Sequence, residues 1–432
     1  MRRLRIVGVA DTDSYVKWGA SLLGSVADVA DATMLVVETP LVVSESQQRA
    51  ALAGAGLPAD RVRRVEYAAL AAELAALQPD AVLVAARGPL ARVLARTAAE
   101  LSPRPVIVTG LPGISIPATS RALLFRAQCD LFVLHSTREV REFAALASYR
   151  GLSQRFGLAR LPFAQSPQRA SGSGGGDLVF AAQAIVPRER PERLRVAEIL
   201  VAAARADPSR RVVVKLRTAA GEKQTHRELD DYRDLLARLA RESPLPGNLV
   251  VDTGPMARAL DTAQGLMTVS STAAVEAVAR GIPVIALDTF GVSDRLINPV
   301  FVGSGLLAGA DAVIARDFRH PDAGWLADNY FHDPALDVWF ERLQSLVAKR
   351  RAGKLAPKPP LERRGGHLRD VYERKMALGR SDRSLQGAAV MVVGWPTRVA
   401  IRSWHRVRRL FRGRVVEPAV APAWSDVESA RA

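Results

Sequence analysis

Short apolar runs recur along the chain, separated by longer stretches in which apolar residues fall every third or fourth position. In the first half the runs are RIVGVA, TMLVVET, AVLVAA, PVIVTG and LFVLHS. Continuous runs rich in Val, Ile and Leu, without polar alternation, are the pattern of strands buried on both faces. The stretches between them, such as GPLARVLARTAAEL, carry helical spacing. The pattern stops at SPQRASGSGGGD (166–177) and restarts with LVFAAQA, RVVVKL, NLVVDTG, GLMTVSS and PVIALD. Strands alternating with helices predict parallel sheets, and the Gly/Ser-rich break predicts a linker. The expected architecture is α/β: two tandem Rossmann-like doubly wound domains, over 1–165 and 178–348, joined by a linker at 166–177. Ligands in such sheets bind beyond the carboxyl ends of the strands. Two such ends joined by a hinge form a cleft suited to two substrates and a closing motion.

The polar residues that follow each run are therefore the candidates. In MTVSSTAAVEAVARGIPVIAL (267–287), Ser270, Ser271 and Thr272 stand where a strand gives way to a small-residue helix. The first turn of a helix has unpaired N–H groups and a positive dipole end, so hydroxyls there can complete an anion site. They can equally be an ordinary N-cap. Glu276, at the fifth helical position if Ser271 is the cap, lies too deep for a capping box. It is a ligand contact or the partner of Arg280, four residues on. Lys215 and Arg217, with His226 further along VVVKLRTAAGEKQTH, follow an earlier strand. Arg217 could meet a phosphate or carboxylate through its fork, or these residues could be a solvated strand end.

In the first domain, ADTDSYVKW places Asp11 and Asp13 at a strand-to-helix junction, as general base or as helix caps. Gly110 and Gly113, in TGLPGISIP, could let backbone approach a second substrate. His135, at the end of LFVLHS, is a base, a ligand contact or a structural hydrogen-bonding residue. Arg126 and Asp130 are expected to serve packing and turn formation.

Composition narrows these options. With 432 residues, 48% of them apolar, the chain can build two sizeable cores. The single cysteine, Cys129, allows no internal disulfide and fits a reducing cytoplasm. The opening MRRLRIVGVADTDS is too short in its apolar part for a signal peptide, and no run is long enough to span a bilayer. No P-loop motif and no dinucleotide-binding glycine pattern occurs. No convincing metal motif stands at a strand end, so no metal and no cofactor are expected. The net charge of +16 is uneven: Lys349 to Arg414 holds 19 basic residues and 4 acids. The body is close to neutral, which argues against nucleic acid as its partner. The tail, 349–432, contains an expected amphipathic helix at about 396–412. There Ala400, Ile401, Trp404, Val407 and Phe411 share one face, and Arg398, Arg402, Arg406, Arg409 and Arg412 mostly oppose them. That is the pattern of a helix lying on an anionic membrane surface. It would seat a cytoplasmic protein peripherally on the inner face of the plasma membrane.

The stretch SSTAAVEAVARGIPVIAL resembles the hydroxyl-helix motif of GT-B glycosyltransferases that use CMP-activated acidic sugars, such as capsule Kdo transferases and bacterial sialyl- and polysialyltransferases. More broadly, residues 1–345 resemble an actinobacterial family of glycosyltransferase-like proteins. The resemblance implies a GT-B fold and transfer of a sugar from a nucleotide-sugar donor to a cell-surface polysaccharide or glycolipid, including lipid-linked glycans. It implies that Ser270, Ser271 and Thr272 hold the donor phosphate, with Glu276, Lys215, Arg217 and His226 also on the donor side. Those families carry Lys-x-His-Pro where this chain has Lys215 followed by Leu216-Arg217-Thr218. Gly110 and Gly113 would then face the acceptor. Transfer to a hydroxyl needs a base, and Asp13 is favoured slightly over Asp11, with His135 as a further candidate. Three rivals stand beside this reading: a teichoic-acid-type polyol-phosphate transferase, a nucleotide-sugar epimerase, and a non-catalytic membrane-associated scaffold.

Overall fold

The computed structural model describes residues 3–41, 45–161, 164, 175–216, 230–358 and 366–391. Arg217, His226, most of the 166–177 linker and the expected helix at 396–412 lie outside the described residues. The first sheet has seven strands: β1 (Leu4–Ala10), β2 (Ala30–Val37), β3 (Val62–Val65), β4 (Ala81–Ala85), β5 (Val106–Gly110), β6 (Leu131–Leu134) and β7 (Phe156–Leu158). They run in the order β3-β2-β1-β4-β5-β6-β7. The second has six: β8 (Asp177–Ala181), β9 (Val212–Lys215), β10 (Leu249–Asp252), β11 (Ala263–Thr268), β12 (Val284–Leu287) and β13 (Leu307–Ala308). Their order is β10-β9-β8-β11-β12-β13. Every strand pairs parallel to its neighbours, as the buried apolar runs predict. In each sheet the chain order reverses beside the first strand, between β1 and β4 and between β8 and β11. That is where a doubly wound sheet opens its crevice.

Most of the runs that predict strands are buried, β10 being the half-exposed exception. β3, β7 and β13 were not expected from the pattern. All three are edge strands, paired on one side only, and short. β3 reads VRRV with both arginines exposed, which hides it from a search for apolar runs.

Helices cover both faces. The Gly88–Ala99 helix starts on Pro89, which is favourable in the first turn, and buries Leu90, Ala91, Leu94, Ala95 and Ala98. The Trp339–Arg351 helix follows the second sheet in the chain but packs with the first: Trp339, Leu343, Leu346 and Val347 lie in the core that holds β1, β4 and β5. The tail also returns to the first domain. The Gly366–Leu378 helix lies along the Gly88–Ala99 helix, with Arg96 to Asp370 at 2.7 Å and Ala377 and Leu378 in the same core. No helix among the described residues is long and apolar enough to cross a membrane.

First-domain segments beyond the carboxyl ends of β5 and β6 reach into the second domain. Ile116, in the loop after β5, is 1% exposed and packs into the second domain's core. The Thr137–Tyr149 helix holds Asp328: Thr137 Oγ1 donates to Asp328 Oδ1 at 2.8 Å, and Arg141 grips the same carboxylate with bonds of 2.9 and 2.7 Å.

Candidate functional site

The three hydroxyls at the end of β11 do different jobs. Ser270 is buried, and its backbone N–H donates to Gln183 Oε1 at 3.0 Å while Gln183 Nε2 donates to Ser270 Oγ at 3.3 Å. Gln183 follows β8, so this pair ties together the two strands at the sheet's switch point. Ser271 Oγ accepts from the N–H of Ala273 at 3.2 Å, taking one of the orphan donors of the Ala273–Ala279 helix. Thr272, the next residue, already has helical backbone angles, and its side chain makes no cap bond. Thr272 faces the first domain instead: a Cβ on Gly113 would stand 2.9 Å from Thr272 Oγ1. Only glycine lets the 111–117 loop come this close.

Glu276 does not pair with Arg280. Arg280 turns to Asp261 at 3.1 Å and to the carbonyl of Ala257. Glu276 instead meets Lys17 of the first domain at 3.3 Å. Lys17 lies one turn after Asp13 on the Asp13–Gly24 helix, so the two share a helix face, and that face looks across the cleft. Lys215 ends β9 and is 4% exposed, with its ammonium donating to the carbonyl of Leu216 at 2.5 Å. Burial holds its pKa below the usual lysine value.

In the first domain the two aspartates separate. Asp11 is fully buried, and Arg87 Nε donates to its Oδ2 at 2.7 Å. Burial raises the Asp11 pKa, partly offset by Arg87 and Arg126. Arg126 is itself buried, donating to Tyr15 Oη at 2.8 Å and to the carbonyls of Gly110 and Ala86. These contacts fill the crevice between β1, β4 and β5 with a structural network, in keeping with the packing role expected of Arg126. Asp130 acts likewise, accepting from the N–H of Ile107 at 2.7 Å. Asp13 is the first residue of its helix and half-buried.

His135 and Gly110 are placed away from the cleft surface. His135 is fully buried. The indole N–H of Trp18 can only donate, and it meets His135 Nε2 at 2.7 Å. The proton therefore sits on Nδ1, which donates to the carbonyl of Ala159 at 2.7 Å. Burial lowers the His135 pKa to about 4, so the ring is neutral at pH 7. Neither nitrogen has a lone pair or proton left for a substrate in this arrangement. Gly110 lies beneath the Trp18 indole, where a Cβ would come within 2.2 Å of the ring. It admits a tryptophan, and its neighbour Gly113 is the glycine at the cleft.

Three residues at this junction were not singled out from the sequence: Lys17, Gln183 and Glu139. Glu139 is fully buried, and burial raises its pKa to about 7. Its signal was legible. Ser136-Thr-Arg-Glu139 has the capping-box sequence, and Ser136 Oγ accepts from the N–H of Glu139 at 3.0 Å, but the acid does not return to the N-cap itself. The carboxylate reaches back to the N–H of His135 at 2.8 Å.

The chain belongs to the family described as "Putative glycosyltransferase (DUF6716)", whose model matches residues 6–346. It matches no curated protein. Among solved structures it is similar to a "putative UDP-N-acetylglucosamine 2-epimerase from Listeria monocytogenes", with TM-score 0.56 and 11% identity over 83% of this chain and 99% of that one. It is also similar to TcCGT1 in complex with UDP, with TM-score 0.50 and 10% identity over 88% and 100%. A UDP-N-acetylglucosamine 2-epimerase matches with TM-score 0.50 and 13% identity over 84% and 100%. At these identities the likeness is one of fold, and the fold is the GT-B arrangement of two Rossmann-like domains.

Proposed function

For a member of this family, we propose transfer of a sugar from a nucleotide-sugar donor to a hydroxyl of a glycan or glycolipid acceptor. The observation that carries the reading is the opposition of two strand ends. The Ser270–Thr272 turn at the end of β11 faces the loop after β5 and the helix after β1, through Gly113 against Thr272 and Lys17 against Glu276. Thr272 and the first turn of its helix would receive the donor phosphate, with Glu276 and Lys215 beside it. Ser270 and Ser271 would shape that turn, since their hydroxyls are already engaged. Asp13 is the proposed base, because Asp11 is committed to Arg87 in a buried pair and Asp13 shares the cleft-facing side of its helix with Lys17. The loop at Gly113 would meet the acceptor. An anionic sugar activated by CMP is the donor we favour, on the strength of the hydroxyl-helix motif. The basic residues between Lys349 and Arg414 would hold the enzyme to an anionic membrane surface. Salt-sensitive cosedimentation with vesicles containing phosphatidylglycerol tests that assignment, and equal recovery with neutral vesicles would remove it.

The test of the reaction is a thermal-shift screen against CMP, CDP, UDP, GDP and TDP, followed by assay of nucleotide release from the matching donor sugars. Stabilisation by one nucleotide, with acceptor-dependent release, supports transfer. Interconversion of the sugar while it remains nucleotide-bound would make the protein an epimerase. Binding without turnover of any donor would make it a scaffold.

A further inference from the structure

The loop that follows β5 alternates in what it touches. Gly113 lies against Thr272. Ser115 Oγ donates to the carbonyl of Gly113 at 3.0 Å, which fixes the turn, and Ser115 N–H donates to Glu139 Oε1 at 2.9 Å. Ile116 is sealed into the second domain's core. The loop is thus built into both domains, and one carboxylate stands at its centre.

Glu139 receives three hydrogen bonds from three segments. Its Oε2 accepts from the N–H of His135, the residue before the Ser136 N-cap, at 2.8 Å. Its Oε1 accepts from Ser115 N–H and also from Tyr330 Oη at 2.8 Å, and Tyr330 belongs to the second domain. A helix start accounts for one oxygen only. The other is spent on joining the loop to the second domain. No basic side chain among the described residues hydrogen-bonds this carboxylate, although it is fully buried. A buried acid held by three donors and no cation is an expensive way to cap a helix. Each oxygen faces a backbone N–H that can only donate, His135 at Oε2 and Ser115 at Oε1, and a carboxyl oxygen can accept there in either protonation state. An amide would turn its NH2 toward one of the three donors, and aspartate is one methylene too short to reach both sides.

We propose that Glu139 is the positioning residue of the candidate site. Through Oε1 it ties the 111–117 loop to Tyr330 and so holds Gly113 over Thr272. The functional part of this inference rests on the reading of the Ser270–Thr272 turn as the donor site. The structural part does not. In this arrangement the acceptor-side wall of the site is completed only when the domains dock, because the group that sets the loop takes one of its bonds from the opposite domain.

The test is hydrogen exchange followed by mass spectrometry on the ligand-free full chain. Wild type is compared with Glu139→Gln, Tyr330→Phe and the double variant. Exchange in peptides covering 111–117 and 269–274 is expected to rise tenfold or more in Glu139→Gln and several-fold in Tyr330→Phe. The double variant should be no faster than Glu139→Gln, because both changes break one shared node. The Thr137–Tyr149 helix and the strands should keep their protection. Unchanged exchange in the loop, additive effects in the double variant, or faster exchange spread evenly over the first domain would each overturn the proposal. If Glu139→Gln does not fold, Tyr330→Phe decides alone, since it removes a single hydroxyl and buries nothing new. Failure of the wild-type protein to bind any of the five nucleotides would remove the donor reading and leave the exchange result standing.

Discussion

The three hydroxyls at the end of β11 offer a way to separate a helix cap from a ligand contact. Ser271 Oγ accepts from Ala273 N–H, so Ser271→Ala removes a cap from a short helix. Loss of such a cap costs about 1 kcal/mol. For a domain of this size that is a fall of roughly 2–4 °C in Tm. Thr272 makes no cap bond, so Thr272→Ala should leave Tm within about 1 °C of wild type, because a surface change away from such bonds stays within about 0.5 kcal/mol. Its effect should appear on ligand. A hydrogen bond to a charged group is worth roughly 1.5–3 kcal/mol, so nucleotide affinity should weaken by about ten- to 150-fold. The assay is differential scanning fluorimetry without ligand, then calorimetric titration with the nucleotide that stabilises wild type. The expected result is a crossing: Ser271→Ala loses stability and keeps most affinity, and Thr272→Ala does the reverse. Parallel losses of stability in both variants, with affinity unchanged, would refute the reasoning and leave the whole turn as a cap.

Other expectations follow from the same contacts. Gly110→Ala would drive a methyl into the Trp18 indole and should cost about 1–3 kcal/mol in chemical denaturation, with no specific effect on nucleotide binding. Asp11→Ala leaves Arg87 without its buried partner and should cost roughly 1.5–3 kcal/mol, while Asp13→Ala should abolish sugar transfer in protein that still binds nucleotide. Transfer retained in Asp13→Ala would remove it as the base. Lys17→Ala breaks a half-exposed pair and should change stability by less than about 1 kcal/mol; a larger loss would make Lys17 a main link between the domains. Glu139 titrates at about 7 in the fold because burial raises it from 4.5. Its raised value means that the stability it contributes is full below about pH 4.5 and is lost as pH rises through about 7, by about 3 kcal/mol. Urea midpoints of wild type and Glu139→Gln should converge over that window, and parallel pH profiles would refute the assignment.

The fold was legible wherever a strand of four or more residues carries an unbroken apolar run, β10 with its half-exposed faces included. Each of the ten apolar runs contains a strand, and the two sheets begin on either side of the Gly/Ser-rich break. The missed strands β3, β7 and β13 sit at edges, where one side needs no partner: β3 carries two exposed arginines, and β7 and β13 are only three and two residues long. Periodicity also assigns a helix its buried stripe without naming the surface that the stripe meets. The Trp339–Arg351 helix shows an apolar face in the sequence, but only the three-dimensional packing returns it to the first domain.

The site was legible in its parts and not in its pairings. A strand end followed by Ser-Ser-Thr announces a helix start, yet nothing local tells which hydroxyl is spent on Gln183, which on Ala273 and which faces Gly113. The same limit applies to charges. Arg280 stands at the right spacing to hold Glu276, and a competing acid at Asp261 takes it, leaving Glu276 to a lysine of the other domain. His135 and Asp11 look like cleft residues because they follow apolar runs, but Trp18 and Arg87 arrive from other elements and consume them. For Ser270, Thr272, Glu276, His135 and Asp11 the deciding partner is more than 70 residues away. Lys17, Gly113, Thr272 and Glu276 instead meet across the two domains, Lys17 against Glu276 and Gly113 against Thr272. That sorting, more than any single motif, gives the junction its chemical character: an acid, Glu276, paired with a cation, Lys17, and a hydroxyl, Thr272, against a glycine, Gly113, that allows close approach.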